Sequence, residues 1–151
     1  MRLTLYTDYA LRVLMHVAIA EGALTTINDI AKTFNVSKQH LMKVVHQLGR
    51  KGYLDTVQGR GGGIRLRRPA GDIVVGQVVR DMEARLDFVA CDCACELRDM
   101  FDDATEAFLA VLDRHTVADL IKPQKTIQSL LLPDPPPNSG WQRLESKEAA
   151  S

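Results

Sequence analysis

Ser37-Lys38-Gln39-His40-Leu41-Met42-Lys43-Val44-Val45-His46-Gln47-Leu48 is the stretch whose reading decides the fold. Leu41, Val44, Val45 and Leu48 recur at i, i+3, i+4 and i+7, the spacing of one buried helix face. The opposite face carries Lys38, Gln39, His40, Lys43, His46 and Gln47, and Ser37 is placed to cap the helix start. Gly52 ends this helix, and Tyr53-Leu54-Asp55-Thr56-Val57 reads as a strand. A loop, Gln58-Gly59-Arg60-Gly61-Gly62-Gly63, leads into a second strand with apolar and basic residues alternating, Ile64-Arg65-Leu66-Arg67. A polar-faced helix followed by a glycine-rich basic hairpin is the pattern of a wing behind a recognition helix.

Upstream, Thr26 and Asp29 match a capping-box pattern and open a helix that turns Ile27, Ile30, Ala31 and Phe34 inward. The tight turn Asn35-Val36 then joins it to the polar-faced helix, completing a helix-turn-helix. A first helix is expected from about Thr7 to Ala20, with Thr7 or Asp8 as its cap, Ala10, Leu14, Val17 and Ala18 inside, and Gly22 beyond its end.

Downstream of Pro69-Ala70-Gly71, a fourth helix covers Val75 to Met82, and residues 85–96 form a short cysteine-bearing connection. A long helix then runs from Leu97 to His115, with Met100, Ala104, Ala107, Phe108, Val111 and Leu112 on one broad apolar face. Such a face in so small a chain calls for a second copy of itself, the other possibility being a return onto the first helix. Thr116 caps a brief helix through Leu120, Ile127 to Leu132 is a candidate for docking in a hydrophobic groove, and the proline-rich stretch from Pro133 reads as a disordered tail. The expected architecture is mainly α with a small β-hairpin. A winged helix-turn-helix DNA-binding domain (1–84) precedes a cysteine sensor loop (85–96), a dimerisation helix with docking segment (97–132) and a tail (133–151).

The formal charge of zero conceals a division. Residues 1–80 hold 12 Lys and Arg against 5 Asp and Glu, a net of +7, and residues 81–151 hold 7 against 14, a net of −7. A basic half suits a polyanion, since neutralised phosphates release condensed counterions, and the acidic half is expected to face away from it. With 46% hydrophobic and 25% charged residues, the chain has the composition of a globular protein. No apolar run reaches the ~18 residues of a membrane span, and Met1-Arg2-Leu3-Thr4 lacks the apolar core of a secretory leader, so a cytoplasmic protein is expected. An enzyme is not expected, because no nucleophile with an ordered base and no paired carboxylates stand out. Nor does the glycine loop suit a nucleotide phosphate: no Lys-Ser/Thr follows it, and Ile64 stands where a dinucleotide fingerprint starting at Gly59 needs glycine.

The candidate DNA-contacting residues are Ser37, Lys38, Gln39, His40 and Lys43 on the recognition helix, Gln58, Arg60 and Arg65 on the wing, and Arg12 as a phosphate clamp. Arg60 at the wing tip suits a minor groove, where narrow A·T tracts attract arginine.

Cys91, Cys93 and Cys95 are the only cysteines, all within five residues. In an extended segment they point to one side, with alternate Cα atoms about 6.5–7 Å apart. In a reducing compartment such clustered thiols read as cluster ligands, as ligands of another metal or a thiol redox sensor, or as residues without a present role.

Over about residues 1–132 the chain resembles the family of winged-helix iron–sulfur regulators that includes IscR, RirA and NsrR, and its NsrR-like members most closely. The carrying residues are Met1-Arg2-Leu3-Thr4, Thr7-Asp8-Tyr9-Ala10-Leu11-Arg12, Val36-Ser37, Gly52-Tyr53, Gly62-Gly63-Ile64-Arg65-Leu66, Pro69-Ala70 and Val78-Val79-Arg80. Cys95-Glu96-Leu97-Arg98 and Thr116-Val117-Ala118-Asp119-Leu120 continue the resemblance. It implies a bacterial homodimer that binds palindromic operator DNA, a repressor whose iron–sulfur cluster (2Fe–2S or 4Fe–4S) reacts with nitric oxide. By the same resemblance Cys91, Cys93 and Cys95 are cluster ligands and Asp8 of the partner subunit is the fourth; Asp92 and Glu96 are substitutes for it, and helix capping is the other role open to Asp8. Two departures stand out: Gln58 replaces the arginine usual in relatives, and the cysteine segment is shorter than theirs. Iron status or redox stress, sensed by cluster loss or thiol oxidation, is the alternative signal. A winged helix used for protein interaction is the remaining reading.

Overall fold

A computed structural model describes residues 3–83 and 96–122 of the 151 in the chain. The segment holding Cys91, Cys93 and Cys95, the expected docking stretch Ile127 to Leu132 and the tail from Pro133 lie outside the described residues.

The elements follow the order α1 (Leu5–Ile19), α2 (Ile27–Phe34), α3 (Lys38–Arg50), β1 (Leu54–Val57), β2 (Gly63–Leu66), a single 3₁₀ turn (Ala70–Asp72), α4 (Val75–Met82), α5 (Glu96–Leu112) and α6 (Val117–Ile121). Helix α1 starts two residues earlier than the sequence led us to expect. Thr4, not Thr7 or Asp8, is its cap, and its side chain accepts from the Thr7 N–H at 3.3 Å. Thr7 is drawn into the core, and Asp8 lies in the first turn with its carboxylate free of capping duty. The other caps are as read: Thr26 accepts from the Asp29 N–H, Ser37 from the His40 N–H, and Thr116 forms a reciprocal capping box with Asp119. Asn35 closes α2 in the left-handed conformation at φ 50°, which its short polar side chain tolerates, and this sets the sharp turn into α3.

One core unites these elements. Ala10, Val13, Leu14 and Val17 from α1 pack with Ile30, the α3 stripe Leu41, Val44, Val45 and Leu48, and Tyr53, Leu54 and Ile64 from the hairpin. Val78 and Met82 from α4 and Val117 from α6 complete it. The strands are antiparallel, with Leu54 opposite Leu66 and Val57 opposite Gly63. Thr25, just ahead of α2, adds a short third rung to β2: its N–H donates to Ile64 O at 3.0 Å and its carbonyl accepts from the Ile64 N–H at 2.8 Å. The wing is therefore bolted to the helix-turn-helix, and Gly63, expected in the loop, is the first residue of β2.

A second bridge holds the chain beyond α5. The Val75 N–H donates to His115 O and the Val117 N–H to Ile73 O, each at 2.9 Å, which seats α6 against α1. Helix α5 ends at Leu112, a turn short of the expected His115. It packs on α4, where Arg80 grips Asp113 through two parallel bonds of 2.7 and 2.8 Å.

Candidate nucleic-acid interface and sensor residues

The α3 stripe dictates which residues its outer face can offer. With Leu41, Val44 and Leu48 at 1% exposure or less, the helix is held in one rotational setting. Lys38, Gln39, His40, Met42, Lys43 and His46 then face solvent. Ser37 caps the N-terminal end of α3, whose backbone N–H groups and partial positive charge also suit a phosphate. Tyr6 braces α3 from α1, its hydroxyl donating to Lys43 O at 3.0 Å. The recognition helix is thus fixed on its inner side by packing and on its flank by a hydrogen bond. Neither constraint uses the donors on its outer face.

On the wing, Gln58 and Arg60 sit in the exposed turn between the strands, and Arg65 is exposed on β2. The wing's base is firmer than its tip. Tyr53 is buried, its hydroxyl donates to Asp81 Oδ2 at 2.6 Å, and the Arg68 guanidinium lies 4.6 Å above its ring centroid. Lys51 joins the same carboxylate at 3.2 Å. Burial and the Asp81 hydrogen bond push the Tyr53 hydroxyl far above its ordinary range. For Asp81, burial pushes the carboxyl upward, but hydrogen bonds from Tyr53, Lys51 and Gln77 outweigh it and hold the group below the ordinary carboxylate range.

Asp8 and Arg12 lie one turn apart on α1 and pair at 2.9 Å, with side chains 41% and 47% exposed. An exposed i,i+4 pair contributes only about 0.3–0.5 kcal/mol, so either group is available to a stronger partner. Arg12 also lies 5.9 Å from the centroid of Phe34, on whose ring His16 rests edge-on. Burial lowers the His16 pKa and the Asp29 carboxylate partly restores it. Glu83, the last described residue before the cysteine segment, accepts from the Thr4 N–H at 2.8 Å and the Thr4 hydroxyl at 3.0 Å. Glu83 and the start of α1, which carries Asp8, are therefore held side by side. Of the two substitutes for Asp8, Glu96 is exposed in the first turn of α5, and Asp92 lies outside the described residues.

Sequence reasoning missed Thr4, the Tyr53–Asp81 pair and Met42. Thr4 was overlooked because Thr7 and Asp8 offered competing caps nearby. The Tyr53–Asp81 bond joins residues far apart in the chain and leaves no local pattern. Met42 belongs neither to the buried stripe nor to the polar set; its spacing of four from Lys38 was the signal that placed it outside.

The Rrf2 model, described as "Iron-dependent Transcriptional regulator", matches residues 3–123. The chain belongs to the Rrf2 family. Among curated relatives it is 46% identical to the HTH-type transcriptional regulator NsrR of Geobacillus kaustophilus (strain HTA426) and 45% identical to that of Bacillus subtilis (strain 168). Each match covers 87% of this chain and 97% of the relative. Among solved structures, T. potens IscR superposes with a TM-score of 0.71 at 25% identity, covering 85% of this chain and 91% of that one. CymR (YrzC), the global cysteine regulator of B. subtilis, gives 0.68 at 27%, covering 80% and 95%. This Rrf2 chain is a winged-helix transcriptional regulator and not an enzyme, as its sequence led us to expect. No helix among the described residues is long and apolar enough to cross a membrane.

Proposed function

We propose that this Rrf2 protein is an NsrR-type repressor that binds palindromic operator DNA as a homodimer, with its affinity set by an iron–sulfur cluster that senses nitric oxide. The observation that carries the reading is identity of 45–46% to NsrR proteins across 87% of the chain. The donor set fits such a group: three thiols within five residues, and an Asp8 carboxylate that is exposed, excused from capping and only weakly held by Arg12. Cys91, Cys93 and Cys95 would hold the cluster together with Asp8 of the partner subunit. When bound, the group supplies iron that reacts with nitric oxide.

The chain's own residues supply the rest. Gln39, His40 and Lys43 on α3 meet base edges or phosphates, Ser37 and Lys38 meet the backbone at the helix start, and Gln58, Arg60 and Arg65 on the wing follow the groove alongside. Arg12 is the phosphate clamp on α1. The exposed face of α5, with Met100 at 59% and Val111 at 48% exposure, pairs the two subunits so that their recognition helices meet half-sites one DNA turn apart. Loss of the Asp8 tie frees α1 and shifts that separation. A change of about 3 kcal/mol in operator binding is a hundredfold or more in affinity.

The test is anaerobic purification, visible absorption and operator binding followed through addition of nitric oxide. Coloured protein that releases DNA as the colour bleaches is the expected result. Protein free of iron and sulfide after reconstitution overturns the cluster. A colourless anaerobic preparation whose DNA binding falls with peroxide and returns with dithiothreitol assigns the cysteines to thiol oxidation instead.

A further inference from the structure

We propose that Met42 reads a thymine methyl group in the major groove and is a determinant of operator sequence. The inference rests on the DNA-binding reading of α3 and adds to it a base identity. Met42 is the fifth residue of α3 and is 51% exposed, on a face otherwise made of Lys38, Gln39, His40, Lys43 and His46. The buried stripe of the same helix is complete without it. Lys38, one turn before Met42 on the same helix, lines a cleft with Thr26, Ile27, Thr56 and Val57, so the start of α3 borders the wing.

Two partners could cover an exposed thioether here: another protein surface or DNA. The flanking cations Lys38 and Lys43 favour the polyanion, and a second copy of this face would bring them against their own kind. Among the groups that base pairs project into the major groove, the thymine C5-methyl is the apolar one of a size to pack against a side chain. The first half of a recognition helix is the part that reaches those edges. Methionine, unbranched and polarizable, can follow a methyl whose position varies slightly between sites.

The experiment uses the full chain and duplexes enriched by the wild-type protein from a random-sequence pool. Each thymine of the enriched sequence is replaced in turn by deoxyuridine, which lacks only the methyl, and binding is measured by fluorescence anisotropy. At one thymine per half-site, the replacement is expected to weaken wild type roughly three- to fivefold, the transfer value of one methyl group. Met42→Ala, which alters both subunits, is expected to lose about that factor for each half-site of the thymine duplex and to ignore the replacement. Met42→Leu keeps the discrimination, and thermal unfolding of both variants matches wild type. The proposal is overturned if wild type ignores every replacement, if Met42→Ala responds as wild type does at every position, or if Met42→Ala unfolds at a clearly lower temperature. If wild type enriches no sequence at all, the DNA-binding reading itself has failed, and this one with it.

Discussion

Thr4 takes the capping task that the sequence offered to Thr7 or Asp8. The capping bond belongs to Thr4, so replacing it should cost helix stability, whereas Asp8 contributes only an exposed ion pair. In metal-free protein, Thr4→Ala is expected to lower the unfolding free energy by about 1 kcal/mol, and more if the Glu83 contact adds to it. Asp8→Ala should lose about 0.5 kcal/mol or less in the same urea titration. If Asp8→Ala then fails to retain iron on anaerobic reconstitution, its role is ligation; iron retained at wild-type stoichiometry removes Asp8 from the ligand set. A second residue-scale prediction concerns Tyr53 and Asp81. Because the folded-state pKa of Asp81 is depressed, its contribution is present above the unfolded value of about 4 and disappears as pH falls through the folded one. Tyr53→Phe removes one of the hydrogen bonds that depress it. The variant should lose about 1–3 kcal/mol at neutral pH and show a flatter stability profile below about pH 4. An acid limb identical to wild type would mean that Lys51 and Gln77 hold the carboxylate by themselves.

At the scale of elements, α3 and the wing show what local pattern can and cannot reveal. The α3 stripe was legible because burial follows a period of 3.6, and the caps at Thr26, Ser37 and Thr116 were legible because they act over three residues. In the wing turn, Gly61 uses the freedom of a residue without a side chain, at φ +73°. Gly63 has another reason: a side-chain carbon there would stand 2.8 Å from Thr25 O, across the rung that bolts the wing to the helices. That rung joins distant stretches of chain, as does the pairing of Ile73–Val75 with His115–Val117, and neither leaves a periodic trace in sequence. Gly63→Ala is therefore expected to part Thr25 from β2. Unfolding free energy should fall by about 1–3 kcal/mol, with amide exchange at Ile64 accelerated. Arg60→Ala, at the other end of the same hairpin, should leave stability unchanged and weaken operator binding. If each Arg60 neutralises one phosphate, the slope of log affinity against log salt should shrink by about 0.9 per bound subunit. An unchanged affinity and slope would take the wing tip out of the interface.

For the molecule as a whole, the unsolved surface is the long helix. Met100, Ala104, Ala107 and Val111 recur along one side of α5 and are exposed, whereas Leu109 is buried and Arg80 fixes the helix end through Asp113. The sequence could mark that face as apolar but not say what covers it, because periodicity records burial without naming the partner. The proposed homodimer gives the face a partner and also explains the charge division, since pairing through the acidic half leaves two basic heads pointing the same way. Ala107→Glu tests this most directly. A carboxylate in the middle of the face would meet its symmetry mate across a two-fold axis, and burying two like charges together costs far more than an exposed glutamate costs a monomer. The variant is expected to sediment at half the mass of wild type, with the same far-ultraviolet circular dichroism. On a palindromic duplex its affinity should fall by about a hundredfold or more, because the second half-site no longer binds at the high effective concentration that a linked partner provides. On a single half-site it should bind as wild type does. Wild-type sedimentation by Ala107→Glu would place the dimer contact elsewhere, and an equal loss on half-site and palindrome would mean that the substitution had damaged the DNA-reading head rather than parted the pair.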